Sequence, residues 1–156
     1  MEKRIAVIRI RGRTGVRRPI RETLSLLRLH RVNHLVIVDD RPSYKGMLKK
    51  CEHYVTYGEL DKETFKELLL KRGRLKGNKR LTEDYIKENT NFSSLDEFVD
   101  KFFNFEADLT DIPDLKPVFR LHPPRKGFKS IKKHFKNKGD LGYRGEAINE
   151  LIKRMM

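Results

Sequence analysis

The sequence predicts an α+β fold: a small β-α-β-α-β core over residues 1–58, followed by a mostly helical extension over residues 59–156. Three observations predict it. Short strand-like apolar runs alternate with helix-period segments through the first 58 residues. A core that small buries only about 60% of its unfolded surface, so the remaining chain must pack against it. Charge is also segregated along the chain, with an acidic block set between basic stretches.

Ile5 to Ile10 alternates apolar residues with others and reads as a first strand ending at Arg11. Gly12-Arg13-Thr14-Gly15 is a turn. Pro19 suits a helix start, where its missing N–H costs nothing. Ile20, Leu24 and Leu27 then recur at i, i+4 and i+7, which predicts a helix from Pro19 to His30. Leu35 to Val38 is a buried strand, stopped by Asp39-Asp40-Arg41-Pro42. Ser43 is the expected N-cap of a second helix, whose Tyr44, Met47, Leu48 and Cys51 share a face. Tyr54 to Tyr57 gives a third strand before Gly58.

In the extension, Asp61 caps a helix to Lys71 with Phe65, Leu68 and Leu69 inward. Arg72 to Arg80 reads as a basic loop turned at Gly73 and Gly77. Thr82 starts a short helix and Ser94 a longer one to Phe103, where Leu95, Phe98, Val99 and Phe102 form one stripe. That stripe is read as core. Val118 to Leu121 is a fourth strand and Gly145 to Met155 a terminal helix.

The formal charge is +14. Between Thr82 and Leu115 ten acidic residues face two basic ones, a local −8 that leaves +22 for the rest. From Arg120 to Lys138 there are eight Lys or Arg, two His and no carboxylate. Such a segment has too little apolar surface to offset the entropy of ordering it, so a fixed shape is expected to need a polyanion. Nucleic acid is the polyanion these residues suit, because Lys and Arg release condensed counterions and Arg matches phosphate with a planar fork.

Other chemistries find little support. Asp39-Asp40 is the one pairing that suggests a metal for phosphodiester cleavage, yet adjacent residues on a strand point to opposite faces, and a turn role before Arg41-Pro42 is preferred. The five His and single Cys show no paired zinc spacing, and no cofactor or catalytic residue is expected. Gly73-x-x-x-Gly77 lacks the Gly-Lys-Ser/Thr of a phosphate-binding loop. One cysteine excludes an intrachain disulfide and fits a reducing compartment. No apolar run spans a bilayer or forms a signal peptide, so a cytoplasmic protein without a membrane partner is expected.

Two separated segments carry a family resemblance. Thr23-Leu24-Ser25-Leu26-Leu27-Arg28-Leu29-His30-Arg31-Val32-Asn33 resembles the segment entering the second strand of the large-subunit ribosomal protein L-thirty family. Met47-Leu48-Lys49-Lys50-Cys51-Glu52-His53-Tyr54-Val55 is similar to its second helix and third strand. The continuation, Phe119 to Phe128 and Gly139-Asp140-Leu141-Gly142-Tyr143-Arg144-Gly145, resembles the archaeal members and their eukaryotic L-seven relatives. Eukaryotic members usually carry a long basic N-terminal extension; only a few residues here precede the first strand, so the archaeal type fits better. The resemblance implies a three-stranded antiparallel core sheet in the order 3-1-2, with two helices on one face. It also implies a non-enzymatic constituent of the large ribosomal subunit, with large-subunit rRNA and neighbouring ribosomal proteins as partners and no small-molecule substrate. The alternatives are a metal-dependent RNA-processing enzyme using Asp39 and Asp40, or a free-standing RNA chaperone.

The expected RNA contacts follow from charge and glycine placement. The first set is Arg125, Lys126, Lys129, Lys132, Lys133, Lys136 and Lys138, with Phe128 to stack. The second is Arg11, Arg13, Arg17 and Arg18, at a glycine-containing turn before a helix N-terminus. Lys45, Lys49 and Lys50, and Arg72, Arg74, Lys76, Lys79 and Arg80, are read equally well as phosphate contacts or as solvated faces. Tyr143 and Arg144 flank glycines beside the last helix and complete the set. The acidic block is expected to face solvent or a basic neighbouring protein.

Overall fold

The computed structural model describes residues 3–12 and 14–156. Its backbone is a sheet covered on both faces. Strands β1 (Arg4–Arg9), β2 (His34–Asp39) and β3 (Val55–Glu59) alternate with helices α1 (Arg18–Leu26) and α2 (Pro42–Lys50). Then follow α3 (Lys62–Arg72), the two-residue strands β4 (Arg74–Leu75) and β5 (Lys79–Arg80), α4 (Glu83–Asn89), α5 (Leu95–Phe103), β6 (Phe119–Arg120), β7 (Gly142–Tyr143) and α6 (Ala147–Met155). β1 lies antiparallel between β2 and β3, with Ile5 opposite Val38 on one side and Glu59 on the other. The central order is the 3-1-2 that the resemblance implies.

The sheet is wider than that, however. β6 adds antiparallel to β2 and β7 adds parallel to β3, giving five strands in the order β6-β2-β1-β3-β7. The expected three-stranded antiparallel sheet is thus the middle of a five-stranded mixed one. Two residues per added strand are too few for a period-2 signal, which is why β7 escapes sequence reading.

Alternation along β1 sends its residues into two cores. Ile5 and Val7 join Leu24, Leu27, Leu29, Val36, Val38, Leu48, Cys51 and Val55 under α1 and α2. Ala6, Ile8 and Ile10 join Leu35, Phe65, Leu68, Phe98, Phe102, Phe119, Leu141, Ile148 and Ile152 under α3, α5 and α6. Within the second core the Phe65 and Phe102 rings stack at 4.4 Å. Helices therefore cover both faces, and every residue of β1 is buried.

Even the two arginines of β1 are buried. Arg4, 8% exposed, donates to the Phe102 and Ala107 carbonyls at 3.0 Å each, and its guanidinium lies 3.9 Å from the Phe102 ring centroid. Arg9, 4% exposed, donates to the carbonyls of Arg11, Leu29 and Gly12. Arg4 ties α5 to the sheet, and Arg9 ties the end of α1 to the turn after β1.

The local signals at helix ends explain the boundaries. Asp61, Thr82 and Ser94 each accept a hydrogen bond from the backbone N–H three residues on, as expected of N-caps. Ser43 is not a cap: α2 begins one residue earlier, with Pro42 in its first turn after Arg41. Helix α1 ends at Leu26 rather than His30, because Arg28 turns left-handed (φ 63°) and Leu29 N–H donates to Leu24 O at 2.9 Å. The expected basic loop from Arg72 to Arg80 contains the β4–β5 hairpin, turned at Gly77 and Asn78 and anchored by buried Leu75 and Leu81.

Gly58 shows how closely the extension seats on the core. A Cβ there would stand 1.9 Å from the Gly145 carbonyl oxygen, a backbone atom that cannot swing aside. Gly58→Ala is therefore expected to lower stability by about 3 kcal/mol or more, at the upper end of overpacking costs. Thermal unfolding of the variant checks it, and an unchanged midpoint would show that β3 and the Gly145 turn are not packed this way.

Candidate nucleic-acid interface

The antiparallel pairing fixes which loops share an end of the sheet. β1 exits beside the entry of β2 and of β3, since Ile8 faces Leu35 and Arg9 faces Val55. Arg120, at the end of β6, pairs with His34 at the start of β2, and Gly142, at the start of β7, pairs with Thr56. The Arg11 turn, the 28–33 loop, the α2–β3 turn and the whole 122–138 loop consequently gather at one end. The opposite end carries Asp39, Glu59 and Asp61. The acidic helix α5 packs on the face away from α1 and α2. Part of its charge is matched by α3, through Lys62–Asp100 at 3.2 Å and Lys66–Asp96 at 2.6 Å.

At the first turn Arg11 is half-buried, its guanidinium 5.1 Å from the Tyr54 ring centroid and 3.4 Å from the His53 carbonyl. Arg13 lies outside the described residues. Arg17 and Arg18 are exposed at the start of α1, where no side chain caps the helix and no acidic residue occupies the first turn. Arg18 pairs with exposed Glu22 at 2.9 Å, a contact worth well under 1 kcal/mol in water.

The 122–138 loop is built around one buried carboxylate. Asp140, 2% exposed, accepts from the backbone N–H groups of Lys129 and Ser130 and from the Arg144 guanidinium at 2.9 Å. Its own N–H donates to the Ser130 and Lys133 carbonyls. Gly139 packs directly against Lys133, whose carbonyl oxygen would stand 2.0 Å from an added Cβ. These bonds brace the loop from beneath. Arg125, Lys126, Lys129, Lys132, Lys133, Lys136 and Lys138 are all exposed on it.

Two expected contacts move. Arg144 is 7% exposed, donating to Thr56 Oγ1 at 2.8 Å, to Asp140 O and to Asp140 Oδ1, so its fork is spent inside the protein. Burial lowers its pKa and the Asp140 hydrogen bond and charge oppose that shift. Phe128 is half-buried against the second core, while Phe135 and Ile131 are the apolar groups this loop exposes. Tyr143 is exposed, but its hydroxyl donates to Glu59; that bond, with burial, pushes its pKa up to about 12.

Lys45, Lys49 and Lys50 are exposed on α2. Lys45 and Lys49 line a cleft of 460 Å³ together with Asp39, Asp40, Glu52 and Glu59, a mixed-charge surface unlike the basic end. Asp39 serves the turn: burial would raise its carboxyl, but hydrogen bonds from the Arg41 side chain and N–H outweigh this and hold it below its usual value. Cys51 is buried, which pushes its thiol up to about 11.

One basic grouping joins Arg120, the first residue of the basic stretch, to Arg31, which is not among the expected contacts. Arg31 and Arg120 stand exposed around His34, whose pKa is lowered by burial first and then by Arg120, His30, Arg31 and Arg9. The members of this grouping are scattered in sequence, and only the β2–β6 pairing joins them.

The sequence model of the family described as ribosomal protein L30p/L7e matches residues 5–55. The large ribosomal subunit protein uL30 of Methanosphaera stadtmanae is 51% identical over 151 residues, covering 97% of this chain and 99% of that protein. That of Archaeoglobus fulgidus is 53% identical over 150 residues, covering 96% and 98%. The chain belongs to the ribosomal protein L30p/L7e family. The uL30 of Methanopyrus kandleri, 51% identical over 149 residues and matched over its whole length, extends the likeness through the 122–138 loop that the family model leaves out.

The Asp140–Arg144 pair makes the loop testable apart from any ligand. Asp140→Ala leaves a buried guanidinium uncompensated and frees two loop amides, so a loss of about 3–5 kcal/mol is expected. Hydrogen exchange at Lys129 and Ser130 should accelerate well beyond the global change in stability. Unaltered protection at those amides would show that Asp140 does not hold the loop.

Proposed function

We propose that this chain is a non-catalytic structural constituent of the large ribosomal subunit, binding large-subunit rRNA through the basic end of its sheet. The observation that carries this reading is the convergence of the basic loops at one end of the sheet while the acidic α5 lies on its far face. In this reading residues 1–58 supply the family core, and residues 59–156 the archaeal-type extension that bears the 122–138 loop. The ribosomal names of the full-length relatives support the assembly.

Arg11, Arg13, Arg17 and Arg18 approach phosphates from the turn after β1. Arg125, Lys126, Lys129, Lys132, Lys133, Lys136 and Lys138 approach from the long loop, and Arg31 and Arg120 lie between. Lys45, Lys49 and Lys50 contribute at the margin, where carboxylates already share their surface. Structured RNA is engaged mainly by shape and phosphate, and a rigid loop of dispersed cations meets that need. Arg144 acts as a positioning residue that sets the loop, and Phe135 replaces Phe128 as the aromatic presented to a base. The acidic surface around α5 faces solvent or a basic neighbouring protein. A nuclease reading has no support at Asp39, whose carboxylate is held by Arg41.

The deciding experiment is stoichiometric: the amount of this protein on large subunits sedimented through a high-salt gradient. One copy per subunit retained is expected; loss to the supernatant would indicate a transient RNA-binding factor instead. For isolated rRNA, neutralising about eight phosphates predicts a log–log salt slope of roughly −6 to −7. Replacing Lys126, Lys129, Lys132 and Lys133 by Ala should reduce that slope and weaken binding while leaving the thermal midpoint nearly unchanged. A wild-type slope near −2, or unchanged binding by the variant, would remove the loop from the mechanism.

A further inference from the structure

The one grouping of metal-donor side chains among the described residues lies where the long loop meets the core. His53, in the α2–β3 turn, and His134, in the 122–138 loop, are 81 residues apart in sequence, so no ligand spacing betrays them. Their Nδ1 and Nε2 atoms stand 3.3 Å apart, with the rings edge to face at a centroid distance of 5.1 Å. A carboxylate oxygen of Glu52 lies within 4.8 Å of both nitrogens.

We propose that Glu52, His53 and His134 form a binding site for a borderline divalent transition metal such as Zn²⁺, which staples the basic loop to the core. The spacing carries the argument. Two imidazole nitrogens bound at about 2.0–2.1 Å with a tetrahedral angle stand about 3.3–3.4 Å apart. The observed separation already matches that span, so an ion enters by turning the rings without spreading the two nitrogens apart. Glu52, with a carboxylate oxygen within 4.8 Å of both nitrogens, supplies the third donor and a negative charge. Water takes the fourth position.

His134 is also aimed by its surroundings. Gly142, at φ 77°, packs against the ring so closely that a Cβ would stand 2.8 Å from Nδ1. The backbone carbonyl of His134 is held by the N–H groups of Asn137 and Gly139. With Nδ1 turned to Gly142, Nε2 points across to His53. His53 is exposed, which leaves an entry path for the ion. Imidazole donors favour zinc-like ions over magnesium, which prefers oxygen ligands and retains its waters. The bound metal would fix the distance between the Arg11 turn and Lys132–Lys133, setting the spacing of cations at the basic end.

The test needs no RNA, so its outcome is independent of the ribosomal reading. Metal-stripped full-length protein is titrated with Zn²⁺ by calorimetry, in parallel with His53→Ala, His134→Ala and a His122→Ala control. One saturable site is expected in the wild type and in His122→Ala, with affinity at least tenfold lower in the other two. Zn²⁺ should also raise the thermal midpoint of the wild type but not of His53→Ala, a turn variant that leaves the buried core untouched. Co²⁺ in place of Zn²⁺ should give the intense visible bands of a four-coordinate site. Absence of saturable uptake, or equal affinity in His53→Ala and the wild type, overturns the proposal and leaves the two imidazoles with their mutual hydrogen bond alone.

Discussion

The structure depends on the burial of β1 from both sides. A central strand with helices on one face only would leave Ala6, Ile8 and Ile10 in water, and the first 58 residues provide helices for one face alone. The second half of the chain is therefore a structural necessity: α3, α5 and α6 cover the open face. β6 and β7 pair with the outer edges of β2 and β3, which would otherwise present unsatisfied backbone groups. The family model stops at residue 55, yet the core it describes is completed by residues beyond it.

The same constraint divides the arginines into two populations. Arg4, Arg9 and Arg144 point into the protein, where a charged guanidinium is tolerable only with its N–H groups satisfied. Carbonyl oxygens supply most of that satisfaction here: Phe102 and Ala107 for Arg4, Leu29, Gly12 and Arg11 for Arg9, Asp140 for Arg144. Each joins a segment of irregular backbone to the sheet, a task for which the five-donor fork is suited and lysine is not. Arg17, Arg18, Arg31 and Arg120, by contrast, are exposed, with their forks toward solvent. Net charge alone hides this distinction.

Much of this was legible in the sequence wherever the cause is local. A capping oxygen acts three residues ahead, so Asp61, Thr82 and Ser94 mark their helices directly. The stripe of Leu95, Phe98, Val99 and Phe102 is fixed by the helical period and is indeed buried. Where the cause is distant, reading fails. Nothing near Arg144 signals that Thr56 will accept from it 88 residues away, so its charge looks available when it is spent. Ser43 fails as a cap because Pro42 already has the φ a first turn needs. His53 and His134 meet only because β7 lies beside β3.

The basic loop shows what a count of its own residues leaves out. Counting apolar residues asks whether a segment can bury enough surface to offset its own entropy, and from Arg120 to Lys138 the answer is no. One carboxylate in the wall beneath supplies part of what opposes that entropy. Asp140 collects two backbone N–H groups and a guanidinium, contacts to a charged acceptor that are each worth about 1.5–3 kcal/mol. The cations it leaves outside repel one another, which opposes the folded loop, but they are exposed and screened within about 8–10 Å at physiological salt. A buried, multiply bonded carboxylate therefore prevails over many weakly coupled surface charges. A loop braced this way turns its lysines outward around a single buried acceptor, an arrangement that depends on Asp140 and Arg144 and on no residue within the basic stretch alone.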